Sequence, residues 1–195
     1  MKTRLIRKKS ANQGAVRMIR LFVAIDIPEI IQSEVQGMGR SIPNARPVAA
    51  DQLHLTLKFI GEIEGSAFLD IRDALREIVH PKLSLSLKGV GTFPPRGIPR
   101  ILWAGIEPVK GVVLLRNSIE KTLAEINIPR EKKKYTPHLT LARLNNSPIH
   151  HLQNFLAGNA FFQSSEFSVD HFHLYSSQLT PKGALHTLES SYPLA

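Results

Sequence analysis

The 195-residue chain carries a formal net charge of +9 and contains no cysteine. A chain of this length buries roughly two-thirds or more of its unfolded surface, so one domain, or one domain of two lobes, is stable without staples. The absence of cysteine excludes a disulfide framework, a thiolate metal site and a thiol nucleophile, and suits a reducing compartment. No apolar run approaches the length that spans a bilayer.

The charge is unevenly spread. Lys2, Arg4, Arg7, Lys8, Lys9 and Arg17 all precede Met18 with no acid among them, which leaves +3 for residues 18–195. We read residues 1–17 as a flexible, solvated tail or as leader sequence upstream of a start at Met18. A nucleic-acid-binding arm and a targeting peptide are the alternatives. No apolar h-region follows the charges, so a secretory signal is not indicated.

From Met18 onward the chain alternates strands and helices. Ile19 to Ile25 is a continuous apolar run and predicts a buried central strand. Asp26 as cap and Pro28 as first-turn residue predict a helix over 28–37, ended by Gly37, Gly39 and Pro43. Arg46-Pro47-Val48 lies in a loop leading to a strand that stops at Gly61. Ser66 predicts the cap of a helix over 67–79, and Leu83 to Leu87 alternates as a half-buried strand. A Gly/Pro-rich loop over 89–99 and a strand over 100–106 follow, with Trp103 expected in the core. A helix over 109–126 carries Val112, Leu115, Ile119, Leu123 and Ile126 on one stripe. Beyond the basic stretch at 130–134 come a second polar-apolar strand at 137–143 and a helix near 148–157. A strand through Phe167, Val169, Phe172 and Leu174, a turn over 178–183 and a last hairpin strand complete the chain. Such an order predicts an α+β fold, bilobal, with two antiparallel-rich sheets, helices outside and a central cleft.

Two of these strands carry the same motif. Leu53-His54-Leu55-Thr56-Leu57-Lys58-Phe59 and Pro137-His138-Leu139-Thr140-Leu141-Ala142-Arg143 both alternate with period two. His54 and Thr56 share one face, opposite Leu53, Leu55, Leu57 and Phe59; His138 and Thr140 share the corresponding face of the second copy. Buried leucines fix the register, so each His–Thr pair is held on its own face. A single His-x-Thr is commonly structural. Two copies, one in each half of a duplicated fold, bring two imidazoles and two hydroxyls to one cleft.

Two histidines flanking a pocket can divide general acid–base work, one accepting a proton while the other donates. Threonine hydroxyls and a nearby cation, Arg143 first, suit phosphate oxygens. An unbroken strand would point Arg143 away from the cleft, so its candidacy requires a twist or bulge. No Gly-x-x-x-x-Gly-Lys-Ser/Thr loop is present to indicate ATP use, and no Gly-x-Ser-x-Gly elbow to indicate a serine hydrolase. His171-Phe172-His173 and His150-His151 lack acidic ligands at metal-binding spacing and read as polar surface; no metal is expected.

The paired His-Leu-Thr-Leu strands resemble those of the two-histidine phosphoesterase superfamily, and within it the RNA 2′,3′-cyclic phosphodiesterases, also called 2′-5′ RNA ligases. The resemblance extends over residues 18–195, through Arg20 to Ile25, Leu53 to Gly61, Arg100 to Gly105, Tyr135 to Arg143 and Phe172 to Leu179. His186 stands where that family frequently has an aromatic. By this resemblance we expect a pseudo-two-fold bilobal fold without metal or nucleotide cofactor. The implied activity is hydrolysis of RNA or nucleoside 2′,3′-cyclic phosphate ends to 2′-phosphates, with ATP-free 2′-5′ ligation as its reverse. The resemblance assigns His138 as proton acceptor and His54 as proton donor. Thr56, Thr140 and Arg143 would hold the phosphate, and Phe22 and Tyr135 are candidate contacts for base or ribose. Partners are then RNA or a cyclic-phosphate nucleotide, met by a cytoplasmic monomer that does not engage a membrane. Alternatives are a phosphodiesterase on linear 2′-5′ oligonucleotides or on a cyclic phosphate of ADP-ribose type, and an RNA-binding module without turnover. The intact pairs at both motifs argue against the last.

Overall fold

In the computed structural model the described residues are 18–181 and 183–195; the basic tail of residues 1–17 lies outside them. The apolar run at the start forms β1 (Met18–Asp26), in which Leu21 to Ile25 are all buried. After it come α1 (Glu29–Val35), β2 (Ala45–Pro47), a short 3-10 turn (Ala50–Gln52), β3 (His54–Glu64) and α2 (Ala67–Arg76). The hairpin of β4 (Leu83–Phe93) and β5 (Ile101–Glu107) leads to α3 (Val109–Glu125), β6 (His138–Leu144) and α4 (Ile149–Gly158). Strands β7 (Phe167–Val169), β8 (His171–Thr180) and β9 (Gly183–Pro193) close the fold.

Among the described residues nine strands form two antiparallel sheets, in the orders β3-β1-β8-β9 and β2-β6-β5-β4-β7. Each sheet buries one face, so Leu55 and Leu57 of β3, Leu102 and Ala104 of β5 and Leu139 and Leu141 of β6 all lie in the core. α3 adds Val112, Leu115, Ile119 and Leu123 to it, at the spacing that one helical face requires. Each fully buried leucine contributes about 1.5–3 kcal/mol, so a slipped strand would forfeit several such terms at once. The two motif strands lie in different sheets, β3 at an edge and β6 beside the short β2, and they neighbour one another.

Several local expectations are corrected. The lobes are not an N-terminal and a C-terminal half: β1 and β3 share their sheet with β8 and β9, while the middle of the chain builds the other. The strand expected through 167–174 is two strands, because the chain changes sheets at Asp170; β7 pairs with β4 and β8 with β1. β4 runs on through Phe93 into the expected loop, since Val90 to Phe93 pair with Ile101 to Ala104. Likewise β8 continues to Thr180, paired with Gly183, in place of a turn from 178. Asp26 does not cap α1, whose N-cap is Pro28; its carboxylate accepts the Tyr175 hydroxyl at 2.7 Å. Ser66 is the N-cap of α2 as expected, but it makes no side-chain cap bond and the helix ends at Arg76.

The most consequential correction concerns the motif strands themselves. Both are bulged three residues after their histidine. Along β3 the partners Val23↔Lys58 and Ala24↔Thr56 skip Leu57, and along β6 the partners Leu102↔Ala142 and Trp103↔Thr140 skip Leu141. Such an extra residue flips the alternation beyond it. Phe59, expected among the leucines, is therefore 69% exposed, and Lys58 turns inward to 4% exposure. By the same step Ala142 is buried and Arg143 comes round to the side of His138 and Thr140. The carbonyl of the bulged Leu141 is satisfied by the Val48 N–H at 2.8 Å.

Candidate active site

Each motif histidine stands at the first residue of its strand, half-buried, and each makes the same hydrogen bond. His54 Nδ1 meets the Gln52 carbonyl at 2.8 Å, and His138 Nδ1 meets the Thr136 carbonyl at 2.8 Å. A carbonyl only accepts, so each Nδ1 carries the hydrogen and each Nε2 is the ring's free nitrogen. The two tautomers match.

Aromatic rings prop each imidazole. Phe22 lies beside His54 with ring centroids 5.0 Å apart, and His186 meets His54 edge-on at 5.4 Å. Phe93 meets His138 edge-on at 4.9 Å, with Trp103 at 6.4 Å. Trp103 is half-buried on the side of His138 and Thr140, not in the core. It lies across Gly91, where a Cβ would stand 2.2 Å from the indole, so only glycine admits it. Burial lowers the proton affinity of both imidazoles. For His54 the bond to Gln52 opposes the shift, His186 adds to it and Asp26 opposes it; for His138 the bond to Thr136 opposes it.

Thr56 and Thr140 sit two residues beyond their histidines, half-buried, and neither hydroxyl has a partner among the described residues. Cross-strand partners share a face. Gly105, Trp103 and Ile101 pair with His138, Thr140 and Arg143, so these three project together. Phe22 shares that side of its own sheet, but at 3% exposure it forms a floor beneath His54, Phe59, Tyr175 and His186. Tyr135 is half-buried and donates its hydroxyl to the Thr56 carbonyl at 2.8 Å.

Asp26, read from the sequence as a helix cap, and His171 and His173, read as polar surface, lie in this region beside Tyr175, which the sequence did not single out. Asp26 pairs with His54 across β1 and β3, holds the Tyr175 hydroxyl, and lies 3.6 Å from His173 Nε2. His171 and His173 stack at 6.2 Å on β8, and His173 Nδ1 reaches the Ser191 hydroxyl at 2.9 Å. Among the described residues no group of three or more His, Asp or Glu is placed to hold a metal ion. Beneath β3 lies a buried polar chain. Lys58 donates to Glu120 and to the Pro129 carbonyl, both at 2.8 Å; Glu120 also holds Arg116 at 2.9 Å, and Arg116 sits over the Tyr135 ring. Lys58 could reach Glu120 only through the bulge at Leu57, which the alternation of the motif does not announce.

Two antiparallel sheets that each present a His-x-Thr strand, with equivalent tautomers and equivalent bulges, define a two-histidine phosphoesterase architecture. The chain belongs to the 2′-5′ RNA ligase superfamily, whose profile matches residues 28–181. Among similar proteins, the RNA 2′,3′-cyclic phosphodiesterase of Thermus thermophilus is 34% identical, with 90% of each chain covered. That of Archaeoglobus fulgidus is 31% identical, covering 86% of this chain and 96% of the relative. The fold matches the crystal structure of TT0787 from Thermus thermophilus, with a TM-score of 0.76 at 28% identity, covering 90% of this chain and 97% of the other. It also matches E. coli LigT complexed with 3′-AMP, with a TM-score of 0.74 at 25% identity, covering 91% and 99%.

Proposed function

We propose that this protein hydrolyses the 2′,3′-cyclic phosphate end of RNA to a 2′-phosphate, as a monomer, with paired histidines and without a metal. The observation that carries this reading is the matched pair of tautomers. Two imidazoles with Nδ1 tied to main-chain carbonyls each offer one free nitrogen for proton transfer. The relatives named RNA 2′,3′-cyclic phosphodiesterase support the substrate class.

In this reading His138 Nε2 accepts a proton from water as the water oxygen attacks phosphorus. The bond from phosphorus to the 3′ oxygen breaks, and the imidazolium of His54 gives its proton to that oxygen. Acid and base must stand on opposite sides of the phosphate, which suits two imidazoles carried by different sheets. The free hydroxyls of Thr56 and Thr140, with Arg143, hold the non-bridging oxygens. Proton exchange with solvent then resets both imidazoles. With an RNA 5′-hydroxyl in place of water, the same displacement forms a 2′-5′ linkage and needs no ATP.

The test is turnover of a cyclic-phosphate-ended RNA in the presence of a chelator. His54→Ala and His138→Ala should each reduce it by roughly 10²–10⁴. The double variant should lose less than the product of the two, because the pair acts as a unit. Full activity in His138→Ala would remove the proposed base, and loss of activity in chelator would overturn the metal-free reading.

A further inference from the structure

Arg46 lies on β2 directly opposite Arg143 on β6. The loop expected around Arg46-Pro47-Val48 is in fact a short strand, and its register places this second guanidinium beside the first. Directly opposed residues have Cβ atoms about 4.5–5.5 Å apart and project to the same side. Both arginines are exposed, and neither guanidinium has a carboxylate or other hydrogen-bond partner among the described residues. Like charges directly opposite each other destabilise a sheet. An unneutralised arginine pair in line with His138 and Thr140 is accounted for if an anion completes it.

We propose that Arg46 binds the backbone phosphate next to the reacting end, so that the site is built for an oligonucleotide in preference to a mononucleotide. This rests on the cyclic-phosphodiesterase reading above. Arg143 belongs to β6 itself and can fold back along it toward Thr140. Arg46 stands one strand further from His138, on the edge strand of the sheet, where the next charge of a polynucleotide would pass. Guanidinium suits this position because its planar fork meets two phosphate oxygens at once.

Arg46→Gln keeps much of the side chain's length and removes its charge. Lys121→Gln removes one charge from the exposed side of α3 and serves as control. Each is assayed on a nucleoside 2′,3′-cyclic monophosphate and on a cyclic-ended single-stranded RNA of about ten nucleotides, over a range of salt. Arg46→Gln should raise KM for the oligonucleotide about fivefold and leave kcat and the mononucleotide unchanged. Its log–log salt slope should become shallower by about 0.7, the value for one single-strand phosphate contact. Equal losses on both substrates would place Arg46 on the reacting phosphate and overturn the inference. No change on either substrate, or the same change in Lys121→Gln, would also overturn it. Anisotropy binding of the same RNA ending in a 3′-phosphate reads the subsite without turnover. A wild-type protein that cleaves neither substrate yet binds RNA through Arg46 would overturn the catalytic reading while leaving this one standing.

Discussion

Tyr135 donates its hydroxyl to the main-chain oxygen of Thr56 over 2.8 Å, tying the segment before β6 to the start of β3. The bond links β3 to the approach to the second motif strand, three residues before His138. Burial raises the affinity of this phenol for its proton, so the donor persists across the working pH range. Tyr135→Phe keeps the ring under Arg116 and removes only the bond. We expect a stability loss of about 1 kcal/mol, with a larger proportional fall in kcat, because a small shift between the two histidines disturbs an in-line reaction. Thermal melting and turnover on the same preparation check this; equal modest effects on both would show that the bond is merely structural.

The polar chain beneath β3 makes an ordered prediction. Glu120 holds two cations, Lys58 and Arg116, and all three side chains are largely withdrawn from water. Glu120→Leu leaves both cations without a counter-charge and should cost about 3–5 kcal/mol, the usual cost of breaking a buried pair from one side. Lys58→Met leaves Glu120 still paired with Arg116 and should cost less. Denaturant titration of the two variants gives the ranking, and the reverse order would show that Lys58 is held chiefly by the Pro129 carbonyl.

The pH profile follows from the depressed imidazoles. Burial lowers both His54 and His138 from 6.5, so in the free protein the neutral form of each predominates at pH 7. A base that must be neutral and an acid that must be protonated give a bell in kcat/KM centred midway between their two values, hence below 6.5. A bound phosphate favours the imidazolium, so the bell for kcat should lie at higher pH than that for kcat/KM. Parallel profiles on a mononucleotide test this; a kcat/KM optimum well above 7 would contradict it.

Arg143 depends on its bulge. Arg143→Ala should lower kcat/KM on a mononucleotide by about 10²–10³, as expected when a donor to developing phosphate charge is removed. Arg143→Lys should recover only part of it, since an ammonium lacks the two-pronged geometry. Single-turnover rates on a mononucleotide separate the two variants. Equal activity in the wild type and Arg143→Ala would show that the guanidinium does not touch the reacting phosphate.

What was legible in the chain was its alternation. The leucines opposite His54, Thr56, His138 and Thr140 fix those four faces locally, and the structure keeps them there. Alternation fails where a bulge resets it. Phe59 and Lys58 exchange their expected environments for that reason, and the placement of Arg143 needed the same step. Arg46 was illegible for a different cause: β2 has three residues, too few to show a period, and its strand character comes from pairing with β6. Trp103 reads as core from its apolar neighbours, and only the facing Gly91 of β4 shows that the indole lies flat on the opposite side. These are tertiary facts.

The sheet order has a consequence for synthesis on the ribosome. β1 is flanked by β3 and β8, so one of its edges has no partner until the chain has been extended from Glu64 to His171. At about 5–20 residues per second, that delay lasts on the order of 5–20 s. During it the apolar run of β1, Leu21 to Ile25, has an open edge, the geometry that recruits foreign strands. The members of the second sheet, from β2 to β7, all emerge before β8, so they are free to assemble while the sheet carrying His54 is still incomplete. A nascent chain stalled before residue 171 would therefore hold a nearly finished lobe beside an adhesive one, and is the form of this protein most in need of a chaperone.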